Sequence, residues 1–140
     1  GDELFKKALL HYMNNWNGKH PVPWDYFNSM NAGSGKNLNW FFQNWFYTNN
    51  YIDLKITDII QLNDLLTVNV DNVGGFAIPF DAVLNYEDGS VEKLHFSPSL
   101  WEKNQMHAAL AIPIKKKVKS VTLDGDIFMD YTPDNNTKSL

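Results

Sequence analysis

Through the first fifty residues, apolar positions recur every three to four residues, the period of a helix that buries one face. Leu4, Phe5, Ala8, Leu9, Tyr12, Met13 and Trp16 form one such row, with Asp2 placed to cap its start and Gly18 to end it. A second, short helix is predicted after Pro21 and Pro23, which fix an extended entry. Asp25 falls in its first turn, where the helix dipole favours an anion, and Gly33-Ser34-Gly35 ends it. The third predicted helix is capped by Asn37 and closed by Asn49-Asn50, residues that tolerate left-handed backbone. Drawn at about 100° per residue, its Leu38, Phe41, Phe42, Trp45 and Phe46 span an arc of about 140°, the width of a face that docks on a core. Trp40 and Tyr47 fall on the opposite side, beside Asn39, Gln43 and Asn44, where a surface helix is polar. A second apolar stripe implies a helix sandwiched inside its own domain, or one whose outer side meets a contact absent from this chain.

From Tyr51 the period changes to alternation, with β-branched residues and regularly spaced turns. Strands are predicted near 53–61, 65–72, 78–86, 90–97, 106–114, 118–124 and 127–131. Leu66, Val68 and Val70 make one inward row, and Phe80, Ala82, Leu84 and Tyr86 another. Asp88-Gly89 is the strongest hairpin turn. The fold class is therefore α+β: a helical segment of about three helices over residues 1–50, then an antiparallel, immunoglobulin-like β-sandwich of about seven strands over 51–133. The Cys-Trp-Cys hallmark of antibody domains is absent. Residues 134–140 read as a frayed polar tail. There is no internal repeat and no low-complexity tract.

At 140 residues the chain can form one respectable core, with an internal division. It carries 12 basic and 16 acidic residues, and every basic residue is Lys. A net charge of -4 without Arg argues against a nucleic-acid partner. The one charge run, Lys115-Lys116-Lys117-Val118-Lys119, reads as a solvated strand edge guarded by Lys. Zero Cys removes disulfides, thiolate chemistry and Cys-ligated zinc. No apolar run is long enough to span a membrane, and no signal peptide is present. The start at Gly1-Asp2 rather than Met reads as a piece excised from a longer protein. Compartment is left open, an exported or periplasmic parent included.

Candidate chemistry is sparse. His11, His20, His95 and His107 are the natural metal ligands, yet no two stand at the i, i+4 spacing of H-E-x-x-H. Gly33-Ser34-Gly35-Lys36 lacks the earlier Gly, the following Ser or Thr and the preceding strand of a phosphate loop, and reads as a turn. Asp124, Asp126 and Asp130 invite a calcium reading, but Ile127, Phe128 and Met129 between them offer no side-chain oxygen. Glu87-Asp88 lies in a turn, and no G-x-S-x-G elbow occurs. Trp24, Trp40 and Trp101 can be imagined as a sugar-stacking platform, although core or interface roles suit large aromatics better. No residue is assigned as catalytic or as a metal ligand.

Two stretches carry a resemblance: His20-Pro21-Val22-Pro23-Trp24-Asp25-Tyr26-Phe27, and Ser34-Gly35-Lys36-Asn37-Leu38-Asn39-Trp40-Phe41-Phe42-Gln43-Asn44-Trp45-Phe46-Tyr47. They resemble the end of the catalytic domain in aminopeptidase N-type zinc metallopeptidases, the gluzincin aminopeptidases, where an S-G-x-x-L-x-W-F-F-x-x-W segment precedes a β-sandwich. Val118-Lys119-Ser120-Val121-Thr122-Leu123-Asp124, then Asp130 and Asn135-Asn136, is similar to the family's closing V-x-x-V-x-L-D-P, D and N-N pattern. The matching positions are Asp25, Phe27, Gly35, Leu38, Trp40, Phe41, Phe42, Trp45, Asp124, Asp130, Asn135 and Asn136. Asn50-Tyr51-Ile52 stands in place of the family's Gly-Tyr-Pro, and Gly125 in place of its Pro.

The resemblance implies a non-catalytic C-terminal region that braces a catalytic domain. The family's zinc ligands, general base and peptide-amine site all lie upstream of the matching region. Zinc and peptide substrate are thus expected of the parent only, the chain itself is expected not to be an enzyme, and its partner is the rest of the parent. Trp40 and Tyr47 are the residues expected to face that missing body. The alternative is a free-standing adhesive or carbohydrate-binding sandwich with a helical cap.

Overall fold

A computed structural model describes all residues, Gly1–Leu140, and divides into two compact units, Gly1–Thr48 and Asn49–Leu140. It is an α+β fold, three helices followed by seven strands in two antiparallel sheets.

The first unit holds α1 (Asp2–Trp16), α2 (Pro23–Ser34) and α3 (Asn39–Phe46). The Asp25 carboxylate accepts the Val22 N–H at 2.9 Å while the Asp25 N–H donates to the Val22 carbonyl, which fixes the start of α2. Gly35 ends it at φ 68°, in the left-handed region that glycine enters freely. Three expected caps lie elsewhere. Asp2 is already helical, and Gly1 caps α1 through its carbonyl, which accepts the Leu4 and Phe5 N–H groups. Leu38 takes the cap position of α3, with the Asn37 side chain accepting the Asn39 N–H at 3.1 Å. Neither Asn49 nor Asn50 is left-handed, because the chain must straighten before Tyr51, whose N–H donates to the Gly74 carbonyl at 3.0 Å.

Ala8, Phe27, Met30 and Phe42 form the core of this unit, with Tyr26, Leu38 and Phe41 packed against it. Of the long apolar row on α1 only Ala8 is fully buried, and Phe5 and Met13 stand exposed. The reason is the close crossing of α1 and α2: a Cβ on Gly33 would lie 2.6 Å from the Ala8 Cα and 2.9 Å from the His11 Cβ. Two small residues bring the backbones together along one narrow strip and leave the flanking side chains outside it.

In the second unit β1 (Leu54–Leu62), β2 (Leu65–Asn72) and β5 (His107–Pro113) form one sheet in the order β1-β2-β5. The strands β3 (Phe80–Tyr86), β4 (Val91–Phe96), β6 (Val118–Asp124) and β7 (Thr137–Ser139) form the other, in the order β4-β3-β6-β7. The predicted inward rows are buried: Leu66, Val68 and Val70 with Leu110 and Ile112 from one sheet, Phe80, Ala82, Leu84 and Tyr86 with Val121 and Leu123 from the other. Asn72 is buried at the end of β2, donating to the Phe76 and Gln105 carbonyls and accepting the Gly75 N–H. The β3–β4 hairpin turns at Gly89 (φ 83°), with Asp88 accepting the Ser90 N–H.

Two predictions at the end of the chain are corrected. Residues 127–131 alternate like a strand but pair with none, since Asp126 turns left-handed at φ 55° and the Phe128 N–H closes back on the Gly125 carbonyl. The tail expected to fray instead supplies the seventh strand. Thr122 pairs with Thr137 and Ser120 with Ser139, because the outer edge of β6 would otherwise carry unmatched backbone groups. The Lys run also falls elsewhere than on a sheet edge. Lys115–Lys117 occupy the turn before β6, an inner strand, where Lys116 pairs with Asp88 and Lys117 with Glu87, each at 2.8 Å.

Gly33→Ala is expected to destabilise the protein by about 1–3 kcal/mol, because two backbones must separate to admit the methyl; urea melts followed by tryptophan fluorescence measure this. The hairpin predicts a dependence on alkaline pH. Burial, reinforced by the hydrogen bond to Glu92, pushes the Tyr86 phenol up from 10.0 to about 12. A raised folded pKa contributes stability that is full below the unfolded value and is lost as pH rises through the folded one, so stability falls between pH 10 and about 12. Tyr86→Phe should remove that component, by at most about 1.4 kcal/mol per pH unit, when denaturant midpoints at pH 9 and 11.5 are compared.

Candidate functional site

The helical unit gathers its aromatic residues around Phe27. Its ring stacks on Phe42 at 4.4 Å, approaches Phe46 at 5.2 Å and meets Trp24 edge-on at 5.8 Å. Since α3 ends at Phe46, Tyr47 leaves the helical path, and its ring stacks on Trp24 at 5.4 Å with 12° between the planes. Trp40 is half-buried and meets Phe41 edge-on at 5.7 Å, and Trp45 lies 5.5 Å from the same Phe41. Around the buried Phe27 and Phe42 the outer rings stay open to solvent: Trp24 is 59% exposed, Phe46 62% and Tyr47 45%. The sequence placed Trp40 and Tyr47 on one stripe; in the structure Tyr47 shares its surface with Trp24. The clip that orients α3 was not foreseen. Asn31 accepts the Leu38 N–H at 2.8 Å and donates to Asn39 Oδ1 at 2.7 Å, a contact across eight residues that no local pattern announces.

In the sandwich the closing motif ties distant parts of the chain together. Asp130 accepts the Leu54 N–H at 2.8 Å through one carboxylate oxygen and the Thr132 N–H at 2.9 Å through the other. Beside it the Tyr131 N–H donates to the Ile52 carbonyl at 2.8 Å, and Thr132 Oγ1 donates to Asp53 at 3.3 Å. Asn135 and Asn136 form the short turn that delivers β7, and the Asn136 carbonyl accepts the Leu123 N–H at 2.8 Å. The effect is to hold Ile127, Met129 and Tyr131 outward, at 80%, 89% and 78% exposure.

Next to this loop lies an open cleft of about 230 Å³, lined by Phe80, Asp81, Lys93, His95, Asp124 and Asp126. Lys93 pairs with Asp124 at 2.9 Å and reaches Asp81 at 3.9 Å, and His95 Nδ1 lies 2.8 Å from the same Asp81. The hydrogen bond from Lys93 holds the Asp124 carboxyl below the usual carboxylate range, and Asp124 in turn raises Lys93. These charges satisfy one another, and the cleft contains no nucleophile. Asp124 and Asp130, considered together for calcium, are each engaged by other partners.

The residues present do not fit a zinc centre. No three of His, Asp and Glu come together as a ligand group; His95 and His107 each sit against one aspartate, Asp81 and Asp71, and His11 bonds Asn15. Trp101 is fully buried, its Nε1–H donating to the Ile78 carbonyl at 3.0 Å, and is a core residue rather than part of a platform.

No family model matches the sequence, and no curated protein does. Among solved structures the fold is similar to Legionella pneumophila aminopeptidase A in complex with aspartic acid, with a TM-score of 0.60 at 20% identity. The similarity covers 88% of this chain and 14% of that one, so the chain spans a small fraction of the protein whose fold it shares.

Asp130→Ala is expected to cost about 1–3 kcal/mol by stripping two backbone donors of their acceptor. Hydrogen exchange should quicken at the Leu54 and Thr132 amides while the β2 amides stay protected.

Proposed function

We propose that the chain is the non-catalytic C-terminal region of a zinc aminopeptidase-like polypeptide, in which the helical unit completes and braces the catalytic domain and the sandwich follows it. The observation that carries this reading is the helical unit's unfinished surface. The unit exposes Phe5, Leu10, Met13, Trp24, Phe46 and Tyr47, large apolar side chains that a self-sufficient unit of fewer than fifty residues would have to cover. The S-G-x-x-L-x-W-F-F-x-x-W resemblance supports the same assignment, and so does the small share of an aminopeptidase chain that this fold spans.

On this reading the metal, the general base and the peptide site belong to the preceding domain. This chain's contribution is mechanical. Phe27 and Phe42 lock α2 to α3, and Trp40, with Trp24 and Tyr47, meets the catalytic body.

The first test is the natural reading frame, which should encode H-E-x-x-H and a further Glu ligand upstream of Asp2; a frame without them removes the peptidase reading. The second is energetic. Trp40→Gln with Tyr47→Gln should cost the longer polypeptide roughly 1.5–3 kcal/mol per ring more than it costs the isolated chain, read from paired denaturant melts. Equal losses in the two would mean that these rings serve only their own unit.

A further inference from the structure

The structure assigns a second docking surface, on the sandwich: the loop after β6, whose Ile127, Met129 and Tyr131, with Tyr51 beside them, fit an apolar surface flanked by Lys or Arg on the same longer polypeptide. This rests on the reading proposed above, and it concerns a part of the chain that the aromatic helix does not include.

Three observations carry it. The first is rigidity. Exposed apolar side chains on a slack loop would fold back onto the sandwich, but this loop is tied at Asp130, at the Tyr131 N–H and at the Gly125–Phe128 turn. That turn is tight enough that a Cβ on Gly125 would lie 2.8 Å from the Phe128 carbonyl oxygen. The second is continuity. The Tyr131 ring meets Tyr51 edge-on at 5.5 Å, and an open groove runs from Tyr51 past Met129, so these three side chains form one patch, while Ile127 lies at the edge of the cleft that holds Lys93.

The third is charge, which selects the partner. Residues 120–137 contain Asp124, Asp126, Asp130 and Asp134 and no Lys, whereas the whole chain has 16 acidic residues against 12 Lys. Removing four from 16 leaves 12 against 12, so the entire net charge of -4 resides in the segment that displays the patch. Asp124 is spent on Lys93 and Asp130 on backbone donors. Asp126 and Asp134, on either side of the apolar residues, take part in no salt bridge. An apolar patch preceded and followed in the chain by carboxylates that form no salt bridge favours a basic-rimmed apolar partner over an acidic one, a second copy of this chain included.

Met129 supplies the readout, since its thioether oxidises according to its access to solvent. Peroxide footprinting by mass spectrometry is run on this chain and on the longer polypeptide encoded by the natural frame, normalised to added free methionine. Met129 should oxidise at least about ten-fold more slowly in the longer polypeptide. Equal rates, or a frame that encodes nothing beyond this chain, overturn the proposal. Asp126→Lys with Asp134→Lys, made in the longer polypeptide, should return Met129 oxidation toward the rate of the free chain; undiminished protection would overturn a basic partner. The two readings fail separately. Protection of Met129 in a polypeptide lacking H-E-x-x-H retains the surface and discards the peptidase, while an active peptidase with an unprotected Met129 does the reverse.

Discussion

Much of the sandwich depends on one carboxylate. Asp130 accepts the first amide of β1, 76 residues earlier in the sequence, and, through its other oxygen, the amide that starts the final turn, so one side chain holds both. A hydrogen bond to a charged acceptor is worth more than a neutral one, and a buried amide without a partner is expensive. The clamp therefore fixes where the chain goes after β6. Upstream it leaves the 127–131 segment unable to join a sheet. Downstream it delivers Thr137–Ser139 to the open edge of β6, completing the four-stranded sheet.

This also explains which parts of the fold could be read from the sequence. Where burial on one face dictates the pattern, the pattern was legible: Leu66, Val68 and Val70, or Phe80, Ala82 and Leu84, alternate because the sandwich core demands it. The last strand was not, because β7 is Thr-Lys-Ser, a polar edge strand that buries nothing large and is recruited by unmatched backbone groups. The segment mistaken for it alternates for a different reason. Ile127, Met129 and Tyr131 are all exposed while the backbone between them is spoken for by Asp130 and Gly125, and an apolar alternation in the sequence does not say whether those side chains meet a core or solvent.

The candidate site divides along the same line. Phe42 was recognisable as structural from its spacing and Phe27 from the family resemblance alone, and the stacking of their rings at 4.4 Å is what such residues do in a small core. Trp40 and Tyr47 were assigned a common face by extending helical geometry one residue too far; α3 stops at Phe46, and the ring of Tyr47 is free to find Trp24, 23 positions earlier. The polar clips were invisible in principle. Asn31 and Asn72 each organise a corner through several hydrogen bonds, yet an Asn in a helix or at a strand end looks the same whether it holds a loop or faces water.

The two units solve the problem of exposed apolar surface differently, and the contrast bears on function. In the sandwich the core is closed: Trp101, Leu66, Leu84, Val68 and Val121 are fully buried, and the exposed apolar side chains, among them Leu62, Val91 and those of the clamped loop, lie outside it. The helical unit has no such closure, because the Gly33–Ala8 contact brings α1 and α2 too close for the larger side chains beside it to be covered. An exposed apolar face can be tolerated if it is small, or if another body covers it. With large apolar residues open on α1, on α2 and at the end of α3, smallness is not the explanation. A tight two-helix crossing of this kind suits a part whose outer faces are filled by another body, which is what the proposed bracing role would require.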